Sequence, residues 1–164
     1  MVPATTTAEA PKLKGWAAWQ AVFRQPFVLG LILARLLTDP VWYFLQFWMP
    51  KYLHTVHHLT QAQMSVVWMI FFAADIGFLG GGFFSGRLVK RGLLAPAARL
   101  TLMAASACIV PLAFFVPFAG GVTGVIALSM LVAGAATCWL GNLTALVVDV
   151  VPKEILGTSF GVIA

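Results

Sequence analysis

The chain has 164 residues, of which 61% are hydrophobic and only 9% charged, and its mean hydropathy is +0.95. Soluble domains are about half apolar and about a quarter charged, so this chain cannot cover its own surface in water, and it is far too apolar to be disordered. A disulfide scaffold is excluded because Cys108 and Cys138 both sit inside apolar runs, which leaves an integral membrane protein whose backbone is satisfied by helices or a closed barrel. The formal net charge of +5 does not indicate nucleic acid, because the lysines and arginines occupy short connections between apolar runs and form no continuous face with interleaved aromatics.

In chain order, residues 1–15 are polar and rich in Thr, Ala and Pro and are expected to form a flexible aqueous tail. Trp16, Trp19 and Phe23 beside Arg24 form an amphipathic approach suited to the headgroup layer. Four apolar stretches follow, at about 26–49, 62–84, 100–118 and 122–148, each long enough for the about 20 residues a helical span needs. A fifth apolar run starts at Ile155 and stops at Ala164. It is too short to cross, so truncation is the expectation. Pro40 should kink the first span or free one of its carbonyls, and Pro50 should mark its outer end. In the second span, Gly77-xxx-Gly81 and Gly82-xxx-Gly86 permit close helix approach.

The connections set the orientation. Lys12, Lys14, Arg24, Arg87, Lys90, Arg91, Arg99 and Lys153 fall on one side and only Lys51 on the other. By the positive-inside rule the N-terminus is expected to be cytoplasmic in a multi-pass inner-membrane protein. His54, His57 and His58 then face outward, and a wet polar loop is preferred over a metal site because no Cys or carboxylate completes a ligand set.

The polar residues within spans are the informative ones, since a mid-bilayer charge costs at least about 2.5–3.5 kcal/mol on insertion scales. Arg35, Asp39, Trp42 and Gln46 form one stripe at helical spacing, and a cavity wall is preferred over an ion pair that merely staples two helices. Asp75 in the second span is either a proton-relay group or the structural partner of a cation elsewhere. Trp139 and Asn142 are three apart on the fourth span, and either meet a sugar-like ligand or bond between helices. No catalytic set is expected: the serines lack a His–Asp partner set, and Gly80-Gly81-Gly82 is not followed by the Gly-Lys-Ser/Thr of a phosphate loop. The chain therefore reads as a non-enzyme.

Thr38-Asp39-Pro40-Val41-Trp42-Tyr43-Phe44 and Phe47-Trp48-Met49-Pro50-Lys51-Tyr52-Leu53 resemble the seventh helix of major facilitator superfamily transporters, closest to the hexuronate branch of the anion:cation symporters. Asp75-Ile76-Gly77, Gly80-Gly81-Gly82 and Ser85-Gly86-Arg87-Leu88-Val89-Lys90-Arg91-Gly92 are similar to the eighth helix and its basic inner loop. Trp139-Leu140-Gly141-Asn142-Leu143-Thr144, Asp149-Val150-Val151-Pro152-Lys153 and Gly157-Thr158 are similar to the end of the tenth helix and the start of the eleventh. The resemblance implies an all-α polytopic bundle that is most of a C-terminal half, with helices seven to ten and the start of eleven over 16–164, and with residues 1–15 as a remnant of the central loop.

It further implies import of a hexuronate or related sugar acid by proton symport, with no cofactor beyond the proton gradient. Partners would be the small carboxylate anion, membrane lipid and the missing N-terminal half. Arg35, Asp39, Trp42, Gln46, Trp139 and Asn142 would line the substrate cavity, and Arg87, Lys90 and Arg91 would latch a cytoplasmic gate. The family often carries Lys where Arg35 stands, and Arg offers a fork in place of a point charge. The alternative is a non-transporting membrane fragment or subunit whose polar residues serve packing alone.

Overall fold

We describe residues 15–163 of a computed structural model, leaving aside the side chain of Ala18. The expected tail, with Lys12 and Lys14, lies outside the described residues except for Gly15.

Every element among the described residues is helical. Helix α1 spans Trp16–Phe23. Helix α2, Pro26–Tyr43, opens on a proline whose missing N–H has no helical partner to lose. It passes through a wide π-helical turn at Phe44–Trp48 into α3, Met49–Val56. A short 3-10 stretch, Gln63–Val67, leads into α4, Trp68–Lys90. Helix α5, Ala95–Ile109, also has a proline in its first turn and continues as a tighter 3-10 segment over Val110–Phe118. Helix α6 is the longest, at Gly121–Val150, and α7 covers Leu156–Ile163.

Four continuous helical runs, Pro26–Val56, Gln63–Lys90, Ala95–Phe118 and Gly121–Val150, are long and apolar enough to cross a membrane. Two differ notably from the sequence expectation. The first runs past Met49 to Val56, so Pro50 does not end it. A proline ring clashes with the carbonyl four residues back, here that of Gln46, and Gln46 lies in the π-helical turn, whose wider winding moves that carbonyl aside. The second runs past Phe84 to Lys90. It stops where Gly92 adopts φ +99° and the N–H groups of Gly92 and Leu93 return to the carbonyls of Val89 and Leu88 at 2.9 and 3.2 Å. That pair of bonds is the glycine-dependent helix stop that satisfies the last orphan carbonyls.

Helix α6 is the hub. Of its most apolar window 39% is buried, against 17–22% for the other three runs, and its most extensive interface is with α4. A Cβ built on Gly77 would stand 2.0 Å from the Gly134 carbonyl oxygen, and one on Gly81 would stand 2.8 Å from Asn142 Nδ2 and 2.9 Å from Cys138 Sγ. The two backbones therefore touch where side chains normally intervene, which is how helices associate when lipid supplies no hydrophobic drive. Thr137 adds a polar tie, its hydroxyl 2.5 Å from the Ala74 carbonyl on α4. Gly82 and Gly86 have nothing within 4 Å of a built Cβ, so of the two small-residue spacings only the first is used within the chain.

Two apolar clusters flank this contact. One gathers Leu45, Met49, Leu53, Val67, Ile70, Val125 and Val132. The other gathers Val22, Val28, Leu31, Met103, Trp139, Leu143 and Ile155, and so ties α1, α2 and the segment before α7 to α6. Many large apolar side chains remain uncovered, Leu36 at 69% and Leu79 at 71% exposed among them, as suits a surface turned toward hydrocarbon.

The α4–α6 contact predicts a sharp asymmetry between glycines of one helix. Gly77→Ala is expected to destabilise the bundle by about 1–3 kcal/mol through overpacking, whereas Gly82→Ala changes stability little. Unfolding of the purified variants from mixed micelles, followed by circular dichroism, measures both.

Candidate functional site

Arg35 and Asp39 lie one turn apart on α2. Arg35 Nε is 2.7 Å from Asp39 Oδ1 and donates a hydrogen bond to Oδ2 at 2.8 Å, and the two side chains are 21% and 24% exposed. Helical spacing alone aligns them, and each neutralises the other in a segment where an isolated charge is costly. Thr38, between them, turns its hydroxyl back to the Ala34 carbonyl at 2.9 Å.

This pair borders two hollows. One, a narrow hollow of about 20 Å³, lies between α2, the 3-10 end of the third span and α6, with Thr38, Asp39, Trp42, Thr137 and Trp139 in its wall. The other, of about 370 Å³, lies between α2 and α7, with Arg35, Asp39, Pro40, Tyr43 and Val162 in its wall. Asp39 faces both. Trp42 is braced edge-on by Phe71 of α4, ring centroids 6.4 Å apart, and Trp139 is buried against the second apolar cluster.

Of the six residues expected at the substrate cavity, Asp39, Trp42 and Trp139 border the first hollow and Arg35 and Asp39 the second, with Asp39 common to both. Gln46 falls in the π-helical turn and borders neither hollow. Asn142 is 1% exposed and turns toward Gly81 of α4. Its Nδ2 donates to the Cys138 carbonyl at 2.9 Å, and its Oδ1 is buried without a partner among the described residues. Trp139 and Asn142, three apart in sequence, therefore serve different faces of α6.

Asp75 is exposed on α4 and has no hydrogen bond or ion pair among the described residues, so no cation of those residues meets it. Arg87, Lys90 and Arg91 are exposed at the end of α4 and border an open hollow of about 550 Å³ with Gly82, Phe83 and Gly86. The Arg87 guanidinium sits 5.6 Å from the Phe83 ring centre. In the loop after α3, His57 packs edge-on against Tyr52 at 5.4 Å. No group of three or more His, Cys, Asp and Glu among the described residues is placed to hold a metal.

One polar tie went unread in the sequence. Arg99 on α5 pairs with Asp149 at the end of α6 through Nε and Oδ2, and Arg99 Nη2 is 3.4 Å from Oδ1. The partners are 50 residues apart, beyond any helical spacing rule. The available signal was that both charges stand at the same end of two adjacent antiparallel spans.

A bundle of four apolar helices with an ion pair sunk between hollows defines a polytopic membrane protein of transporter type. A model of the Major Facilitator Superfamily matches residues 2–164, and the chain belongs to that superfamily. Nothing among curated proteins or solved structures matches it.

Arg99–Asp149 is solvent-facing, so Arg99→Gln and Asp149→Asn are each expected to cost about 0.2–1 kcal/mol, and the double variant less than their sum. A double-mutant cycle on unfolding free energies reads the coupling.

Proposed function

We propose that the chain is most of the C-terminal half of a proton-coupled importer of an organic anion, a hexuronate or related sugar acid, in the cell's inner membrane with the N-terminus cytoplasmic. The observation that carries this reading is the Arg35–Asp39 pair opening onto two hollows, with Trp42 and Trp139 beside it.

In this reading Arg35 receives the substrate carboxylate through its fork of N–H donors, and Asp39 holds the guanidinium in place until the anion arrives. The indoles of Trp42 and Trp139 offer flat apolar faces to a sugar ring, and the Thr38 and Thr137 hydroxyls stand in the same wall as hydrogen-bonding groups. Gln46 and Asn142 stand outside the proposed set in this conformation. Asp75, exposed on α4 and unpartnered among the described residues, is retained as a candidate proton carrier. Arg87, Lys90 and Arg91 latch the inner gate against the other half. Secondary carriers of this kind bind cargo near the membrane midplane, between repeats that rock about it.

The test is uptake of labelled glucuronate by the chain together with its companion half in proteoliposomes. Arg35→Ala is expected to raise KM about tenfold or more, the loss of one charge-assisted hydrogen bond, and Arg35→Lys to retain part of the affinity. Unchanged transport by Arg35→Ala would make the pair a packing device and favour a non-transporting role.

Liposomes holding residues 1–164 alone are expected to take up no glucuronate above empty controls, because one half has nothing to rock against. Measurable uptake would mean that two copies of this chain form a carrier.

A further inference from the structure

A second groove lies away from the ion pair, at the basic end of α4, on the side facing α5, and it shares Arg87 and Arg91 with the proposed gate. Arg87 and Arg91 stand one turn apart and border a groove of about 140 Å³ between α4 and α5, closed by Phe84, Leu88 and Leu102. The groove thus has two chemistries: guanidinium groups at the helix end and hydrocarbon walls running toward the apolar belt, where Phe83 and Phe84 are exposed at 60% and 57%.

Among the described residues the two arginines have no carboxylate partner. The acidic residues of the chain are Glu9, Asp39, Asp75, Asp149 and Glu154. Asp39 is held by Arg35 and Asp149 by Arg99. Asp75 is twelve residues upstream on α4, roughly 18 Å along the axis. Glu154 makes no ion pair among the described residues, and Glu9 lies outside them. Like charges one turn apart repel, although the negative end of the helix dipole tempers this. An anion shared between them would remove the repulsion, and a phosphate matches the guanidinium fork with paired N–H···O bonds.

We infer that the groove of Arg87, Arg91, Phe84, Leu88 and Leu102 binds an anionic phospholipid, phosphate on the arginines and acyl chain along Phe84, Leu88 and Leu102. A headgroup alone would leave the apolar walls unused, and a zwitterionic lipid would bring a second cation, its choline, beside the two arginines and offset the attraction of its phosphate. Basic pockets between membrane helices are a known setting for anionic headgroups. The inference requires the membrane-embedded bundle but not the proposed cargo.

Native mass spectrometry of the full chain titrated with phosphatidylglycerol, phosphatidylcholine or glycerol 3-phosphate tests it. Phosphatidylglycerol is expected to bind in preference to phosphatidylcholine. Arg87→Gln and Arg91→Gln should each weaken it about fivefold, with no such loss for Lys51→Gln at the opposite end of the bundle. Leu102→Trp, which fills the groove and spares both arginines, should also weaken phosphatidylglycerol, and it keeps the test decisive if an arginine variant misfolds by circular dichroism. Equal binding of the two lipids, or retained phosphatidylglycerol binding in the folded Arg87→Gln and Leu102→Trp variants, overturns the inference. Glycerol 3-phosphate binding as tightly as the lipid also overturns it, since the site would then take a free phosphate.

Discussion

The contact on which the rest depends is backbone against backbone, at Gly77 and Gly134. Because no side chain separates α4 from α6 there, the two helices approach closely enough for Thr137 to reach the Ala74 carbonyl and for Asn142 and Cys138 to close over Gly81. Helix α6 thereby becomes the axis against which α2 and α5 lean. Trp139 faces Trp42 across the smaller hollow only because the opposite face of α6 is already engaged by α4. A bulkier residue at Gly77 would push away the very helix that carries the indole.

The polar groups divide by reach. The hydroxyls of Thr38, Thr55, Ser85, Thr101 and Thr144 all return to carbonyls three or four residues back on their own helices, so they satisfy themselves and leave helix association to shape. Arg35 and Asp39 pair within a single helix. Among the described residues, ties between spans are few: the Thr137 bond to α4, the Arg99–Asp149 pair and a long contact from Ser129 to Met49 Sδ. In a medium without water this economy is expected, since each helix meets its own backbone requirement before meeting a neighbour.

The fold was legible in the sequence because its medium is. Four apolar runs with most charges in the connections, and Arg35, Asp39 and Asp75 the exceptions, admit few architectures, and the structure has four helices of matching place. The motif-level resemblance pointed to the superfamily whose model matches the chain. The helix ends were less legible. Prolines and charges were read as stops, but at Pro50 the helix adapts by widening a turn, and at Arg87–Lys90 it simply continues into the polar layer. On α2, Arg35, Asp39 and Trp42 share an unbroken helix with a fixed period, whereas Gln46 falls in the π-helical turn, which changes that period. For Asn142 the sequence left ligand contact and interhelical bonding equally open. Spacing says which residues share a helix, but only Gly81 on the neighbouring helix decides that the amide is drawn to α4. The Arg99–Asp149 pair, with no local spacing to betray it, needed the packing of two spans.

The wide turn at Phe44–Trp48 has a consequence for movement. Such a turn stores a surplus residue within a helix, and a defect of this type can migrate by a few positions while backbone bonds exchange partners one at a time. Met49 and Leu53, both fully buried, fix the part of the rod that follows the turn. A migrating surplus residue therefore displaces the preceding part, which carries Arg35 and Asp39, before it disturbs the part beyond.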